Sequence, residues 1–266
     1  MQQIFTKKNR ALLSELVRTD FKLRYQGSVL GYAWSLLRPL FLFAILYIVF
    51  VRFLKFGGTV PHYPVYLLLG IVLWNFFTEM TGQSLESIVD RGDLIRKVRI
   101  PRWIIILSRS VSALINLVLN LLVVFVFMVL SGADLAESAL WFPFVLLEVY
   151  VFAFGMSLFL AALYVKYRDT KHIWEVIIQA FFYITPIIYP LAKITSLSLQ
   201  QLLLLNPMAQ AIQDARSMLI TPKTITIGEV FNTPFAHLFP LVLSVMLLVF
   251  GALYFRRESK YFAENI

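Results

Sequence analysis

The chain has 266 residues, of which 59% are hydrophobic and 15% charged, and its mean hydropathy is +0.77. A water-soluble globule of that composition would lack the polar residues to cover its surface, so the chain reads as an all-α integral membrane protein. The absence of cysteine excludes disulfides, thiolate metal sites and cysteine nucleophiles, and the net charge of +9 has to be explained by where the basic residues fall.

At the N-terminus, MQQIFTKKNR lacks the short apolar core and small-residue cleavage site of a secretory signal. Leu13, Leu16, Val17 and Phe21 then share one helical face while Glu15, Arg18 and Lys22 share another, which predicts an amphipathic helix lying at the membrane surface. Apolar windows follow at Pro39 to Phe53, Tyr63 to Met80, Ile104 to Leu130, Trp141 to Tyr164, Ile173 to Tyr189 and Phe235 to Phe255, predicting a six-helix transmembrane bundle. The expected division is residues 1–38 as the interfacial segment, 39–255 as the spans and 256–266 as a tail, within a single domain covering 1–266.

Lysine and arginine decide the orientation. Seven precede the first window, six lie from Arg91 to Arg109, three from Lys166 to Lys171 and three from Arg256 to Lys260, leaving five of the 24 for the other side. That asymmetry places both termini in the cytoplasm. The charge is thereby a topology signal and a fit to anionic membrane lipids, and no nucleic-acid partner is expected.

Between windows two and three lies DLIRKVRIPRW. Asp93 is placed to cap a short helix with Leu94, Ile95 and Val98 on one face and Arg96, Lys97 and Arg99 on the other, ended by Pro101. Positive-inside charge explains the basic residues alone; a lever against a soluble partner explains the helix as well. Arg168 and Asp169 in KYRDTKH offer a second contact on the same side. Pro186 and Pro190 should interrupt the fifth span among Phe181, Phe182, Tyr183 and Tyr189, rings suited either to stacking on a sugar or to ordinary packing. Beyond them, two short apolar helices broken at Asn206-Pro207 predict a re-entrant or interfacial hairpin on the outer side, between spans five and six.

The chain has no nucleotide-binding loop of the G-x-x-x-x-G-K-[ST] type, no H-E-x-x-H helix and no G-x-S-x-G elbow, so no catalytic or metal-ligating residue is assigned. Glu79, Glu148 and Glu175 lie in or beside the windows, the first and last near predicted span ends. Glu148, inside the fourth, is either a carboxyl hydrogen-bonded in the bundle or a pathway group.

Four stretches taken together resemble one family. RYQGSVLGYAWSLLRPL (Arg24 to Leu40), DLIRKVRIPRW, the R-D segment running to TPIIYP, and LLLLNPMAQAIQDARSML are similar to the membrane subunits of type-2 ABC exporters that move lipid-linked polysaccharides such as O-antigen, capsule or teichoic acid. Gly27 before the serine and Ile100 in place of an aromatic depart from the family pattern.

The resemblance implies a homodimeric permease in a bacterial inner membrane with two copies of a separate ATPase, which would carry the ATP and magnesium; no cofactor is expected on this chain. Asp93, Leu94, Ile95, Arg96, Lys97, Val98, Arg99, Pro101 and Arg102 would couple to the ATPase, with Arg168 and Asp169. Lys22, Arg24, Tyr25, Trp34 and Arg38 would mark access for an undecaprenyl-type carrier. Phe181, Phe182, Tyr183, Pro186, Tyr189, Pro190, Asn206 and Pro207 would form channel and gate. Rival readings are a type-2 exporter of lipids or drugs, an ion-coupled transporter using Glu148, and a membrane-embedded transferase.

Overall fold

The computed structural model describes residues 7–24, 27–53, 60–98, 100–132 and 137–265, and every regular element among them is helical. Tyr25 and Arg99 lie outside the described residues. Four helical stretches, Tyr63–Asp90, Trp103–Ser131, Glu137–Lys166 and Pro234–Tyr261, are long and apolar enough to cross a membrane, and with the composition they make the chain an integral membrane protein. The other two predicted spans are shorter helices: an apolar stretch over Trp34–Phe50 and Thr170–Ile184.

Helix α1 (Lys7–Arg24) is amphipathic as expected. Leu16 is buried on its inner face, and so is Asp20 one turn on; that face packs along α5 (Trp103–Ser131). Helix α2 (Trp34–Tyr47) continues through a wider π-helical turn, Ile48–Phe53. Pro39 sits inside α2, where its missing N–H leaves the Ser35 carbonyl without its helical donor. Asn120 of α5 supplies one, its Nδ2 standing 3.3 Å from that oxygen.

Helix α3 (Tyr63–Asp90) is the central element, buried along most of its length and packed on both α5 and α6 (Phe142–Lys166). The expected end at Met80 is the end of the apolar run, not of the helix. Thr81 and Ser87 return their hydroxyls to the helix's own carbonyls at Phe77 and Ser84, so the polar continuation stays helical. Glu79 is consequently well inside the helix rather than near its end.

The six-residue helix α4 (Gly92–Lys97) follows at once. It differs from expectation at both ends. Arg91 occupies the N-cap position and Asp93 lies within the first turn, making no cap hydrogen bond. Val98 is already extended, so the helix stops before Pro101, whose carbonyl instead accepts from Ile104 N–H at the start of α5.

Helix α6 makes its closest partnership with α11 (Leu238–Glu258) through glycine. A Cβ on Gly155 would come within 2.6 Å of the Leu248 backbone nitrogen, and one on Gly251 would strike the Gly155 carbonyl. Small residues let these two backbones touch, the usual device of helix pairs in lipid. Between them in the chain come α7 (Thr170–Ile184), α8 (Leu197–Leu204), α9 (Pro207–Leu219) and the single turn α10 (Ile227–Val230). The break predicted at Asn206-Pro207 is present, with Asn206 Oδ1 accepting from Met208 N–H at 3.0 Å to cap α9. Helix α9 is not laid on a surface: it is buried from Pro207 to Arg216, against α6 and α3. The tail ends in α12 (Phe262–Asn265), whose Phe262 is buried among Ile88, Ile105 and Phe255.

Candidate functional site

Helices α1, α2, α3 and α5 enclose a cavity of about 1400 Å³. Its polar wall comes from helical spacing. Ser108, Ser112, Asn116 and Asn120 stand four apart on α5, hence on one face, and all are buried; the last three line the cavity, opposite Asn75, Thr78, Glu79 and Gln83 of α3. Glu79 Oε1 accepts from Asn116 Nδ2 at 2.5 Å and from Gln83 Nε2 at 2.9 Å, which is how a carboxylate is accommodated inside an apolar bundle. Asn116 Oδ1 and Thr78 Oγ1 are both buried without a hydrogen-bond partner. Trp34 and Phe76 add aromatic surface to the lining.

Ions gather at one end of this cavity. The Asp20 carboxylate, 6% exposed, is paired with Arg91 and lies 3.2 Å from Arg109 Nη1, with Ser108 Oγ at 3.4 Å. Arg109 also stands 4.0 Å from Asp90. Arg38 lines the same space from α2. Hydroxyls, amides, rings and guanidinium groups in one cleft suit a ligand with both hydroxyl and anionic groups.

Of the predicted access residues, Trp34 and Arg38 line this cleft. Lys22 is exposed on α1, Arg24 is that helix's last residue with its side chain outside the described set, and Tyr25 is outside it altogether. The sequence reading missed Asp20, Glu79 as a wall group, and the α5 stripe. The four-residue recurrence of Ser and Asn in an otherwise apolar stretch was the signal for that stripe.

The predicted coupling residues lie beside Asp20's partners, since Arg91 immediately precedes α4. Asp93, Arg96, Lys97 and Val98 are exposed and Leu94 is half-buried. Ile95 instead turns inward onto the cluster that holds Phe262, and Ile100 packs there too. Arg102 donates to the Ser259 carbonyl and lies 5.9 Å from the Phe262 ring centre, so it clamps the C-terminal tail. Pro101 is half-buried beside it. Arg168 stacks 5.2 Å from the Tyr164 ring, and Asp169 precedes α7. Next to it, Lys171 bonds Glu86 at 2.6 Å.

The predicted channel and gate residues divide. Phe181 and Tyr183 are exposed, while Phe182 packs against Trp74 at 6.2 Å and Tyr189 donates to the Ile184 carbonyl at 2.7 Å. Pro186 and Pro190 are buried where the chain leaves α7. Here Arg216, fully buried, ties the hairpin down. It donates to the carbonyls of Pro186 and Ile187 at 2.6 Å each, to Tyr66 O at 3.0 Å and to Gln213 Oε1 at 3.1 Å. Its guanidinium lies 3.7 Å from the Tyr66 ring centre. The prolines break α7 and thereby free the carbonyls that Arg216 takes. Glu148 is buried beside Gln210, Asp214 and His237, where His237 Nδ1 is 3.0 Å from Asp214 Oδ2.

Residues 11–220 match the ABC-2 type transporter family. The chain is 34% identical over 203 residues to the O-antigen export system permease protein RfbA of Myxococcus xanthus, covering 75% of this chain and 76% of that one. It is 28% identical over 254 residues to the protein of that name from Klebsiella pneumoniae, covering 95% and 94%. With more than half of its length matched, the chain belongs to the ABC-2 type transporter family.

Proposed function

We propose that this chain is the permease subunit of an ATP-driven exporter that carries a lipid-linked polysaccharide of the O-antigen type across a bacterial inner membrane. The observation that carries this reading is the cleft: a bundle that is otherwise apolar keeps amides, hydroxyls and arginines on one interior face, beside an amphipathic helix. A drug or simple lipid has no use for such a wall, whereas a sugar bonds it and a carrier phosphate pairs with its guanidinium groups. The relatives named as O-antigen export permeases support the same substrate class.

On this reading six helices cross: the four long ones, α2 with its π-helical extension, and α7. The chain acts as one domain, with α1 lying at the cytoplasmic surface, both termini cytoplasmic and the α8–α9 hairpin entering from the outer side. Two copies pair around the pathway. Helix α7 supports the pairing, because it exposes His172, Glu175 and Gln179 on one side, a face that lipid would not solvate. Its Phe181 and Tyr183 would then face the polymer, with the Asn206-Pro207 turn at the outer gate. Two ATPase subunits bind ATP and magnesium and receive α4 through Leu94 and the exposed Asp93, Arg96, Lys97 and Val98, with Arg168 and Asp169 alongside. ATP-driven closure of that pair moves α4 and the spans attached to it. Glu148, enclosed with Gln210, Asp214 and His237, is read as a packing group, which disfavours the ion-coupled alternative.

The test is to purify the tagged chain gently from its native membrane and probe for a copurifying ATPase. An ATPase should be present, and Leu94→Asp with Val98→Asp should release it while the chain stays folded, because neither side chain belongs to the core; Ile95 is left untouched for the opposite reason. Absence of any ATPase from an intact preparation would overturn the reading.

A further inference from the structure

We infer that the ion cluster at the end of the cleft is a binding site for a membrane-anchored phosphate or diphosphate, held closed in this structure by the protein's own Asp20 carboxylate. The inference rests on the exporter reading and deepens it by assigning the residues that take the carrier's phosphate: Arg91 and Arg109, rather than Lys22 and Arg24.

Three features separate this cluster from a plain structural ion pair. The first is convergence: arginines from two helices, 12% and 19% exposed, meet one carboxylate from a third. Guanidinium forks match phosphate oxygens as well as they match a carboxylate, and a diphosphate brings more charge than one aspartate. The second is position, since Asp20, Arg91 and Arg109 all line the large cavity, as does Arg38 of α2. A ligand in the cleft therefore reaches the pair without unpacking the core. The third is where the carboxylate comes from. Helix α1 packs principally along α5 alone, so exchanging Asp20 for a phosphate displaces a peripheral helix and leaves the central bundle in place.

Arg91 adds a consequence. It occupies the N-cap position of α4, so a phosphate that takes Arg91 from Asp20 acts at the residue where the partner-facing helix begins. Head-group binding and the release of α1 are then one event, and the event is felt at α4.

The chain lacks cysteine, so Ser14→Cys, on the exposed side of α1, accepts a single spin label. The labelled full-length protein is placed in phosphatidylcholine nanodiscs and titrated with geranylgeranyl diphosphate. Binding should mobilise the label. D20N should bind the diphosphate at least tenfold more tightly and show a mobile label without it. R91Q and R109Q should weaken binding at least tenfold, and the double variant D20N/R109Q, which takes away the competing carboxylate together with one of its two arginines, should bind at least tenfold less tightly than D20N. Nanodiscs of phosphatidylglycerol separate the two sources of phosphate: mobilisation by that lipid alone assigns the site to bilayer head groups, and its absence assigns it to the diphosphate carrier. Equal binding by the wild type, D20N and D20N/R109Q would overturn the proposal and make the cluster a structural staple. If the diphosphate behaves as expected and no ATPase copurifies with the chain, the site stands and the exporter reading falls.

Discussion

A fully buried arginine and a pair of part-buried ones lie in this molecule, and the two clusters they form are built on opposite plans. Arg216 is fully buried and bonded to carbonyls of Tyr66, Pro186 and Ile187, acceptors that belong to the main chain of α3 and of the segment after α7. Arg91 and Arg109 share a side-chain carboxylate on a helix packed from outside, next to open space. A guanidinium saturated by main-chain dipoles cannot exchange partners without unfolding something; Arg91 and Arg109, paired with a carboxylate on a peripheral helix and with Asp90 4.0 Å from Arg109, can. The first arrangement fixes the hairpin, and the second leaves a site.

The sharpest way to break the comparison is to remove each arginine in turn. Arg216→Met should cost about 3 kcal/mol or more, because three interior carbonyls lose their donor at once and each buried group left unsatisfied costs about 1–3 kcal/mol. Thermal unfolding in detergent should show this as a large drop or as failure to obtain monodisperse protein, whereas D20N should leave the transition far closer to wild type. Gly70→Ala probes the same knot from the other side, since its new methyl would strike Arg216 Nη2. A wild-type transition for Arg216→Met would remove the distinction between the two clusters.

A smaller effect is expected where no polar group is involved. Gly251→Val places its methyls on the Gly155 carbonyl and should destabilise by about 1–3 kcal/mol, as overpacking does, by forcing α6 and α11 apart. Unfolding in detergent should register this while diphosphate binding at the cleft is retained, because neither helix supplies a cleft residue. Loss of binding in that variant would show that the cleft depends on the whole bundle rather than on α1, α2, α3 and α5.

The two clusters were unequally legible in the sequence. Apolar windows located the helices that became α2, α3, α5, α6, α7 and α11, and Asn206-Pro207 located the break between α8 and α9, because both signals are local. Arg216 stood among the basic residues of the outer side and as the arginine downstream of Asn206-Pro207 in LLLLNPMAQAIQDARSML, with no partner assigned; its acceptor at Tyr66 lies 150 residues away in sequence, and no local pattern reports it. Asp20 was overlooked for a related reason. An acidic residue in an amphipathic helix is expected on the wet face, and only the arginines contributed by α5 and the end of α3 make its burial tolerable. The end of α3 was misplaced because hydropathy falls at Thr81 while helical hydrogen bonding does not. Asp93 failed as a cap because Arg91 occupies the position that the cap would need.

The finest distinction concerns Glu79, which belongs to neither cluster but forms the middle of the cleft wall. Its Oε1 accepts from both Asn116 and Gln83, and Glu79→Gln keeps an oxygen there while removing the charge. If the wall serves a sugar through hydrogen bonds, the substitution should cost about 1 kcal/mol, since it weakens two hydrogen bonds to a charged acceptor without removing the acceptor, and leave polymer export in cells near wild type. Asn116→Leu, which removes the donor and the buried Oδ1 together, should reduce export at equal protein level. Equal impairment by the two would mean that the carboxylate's charge, balancing the arginines across the cleft, matters more than the hydrogen bonds. The cleft would then have to be understood as a charge-compensated site throughout, and not only at its Asp20 end.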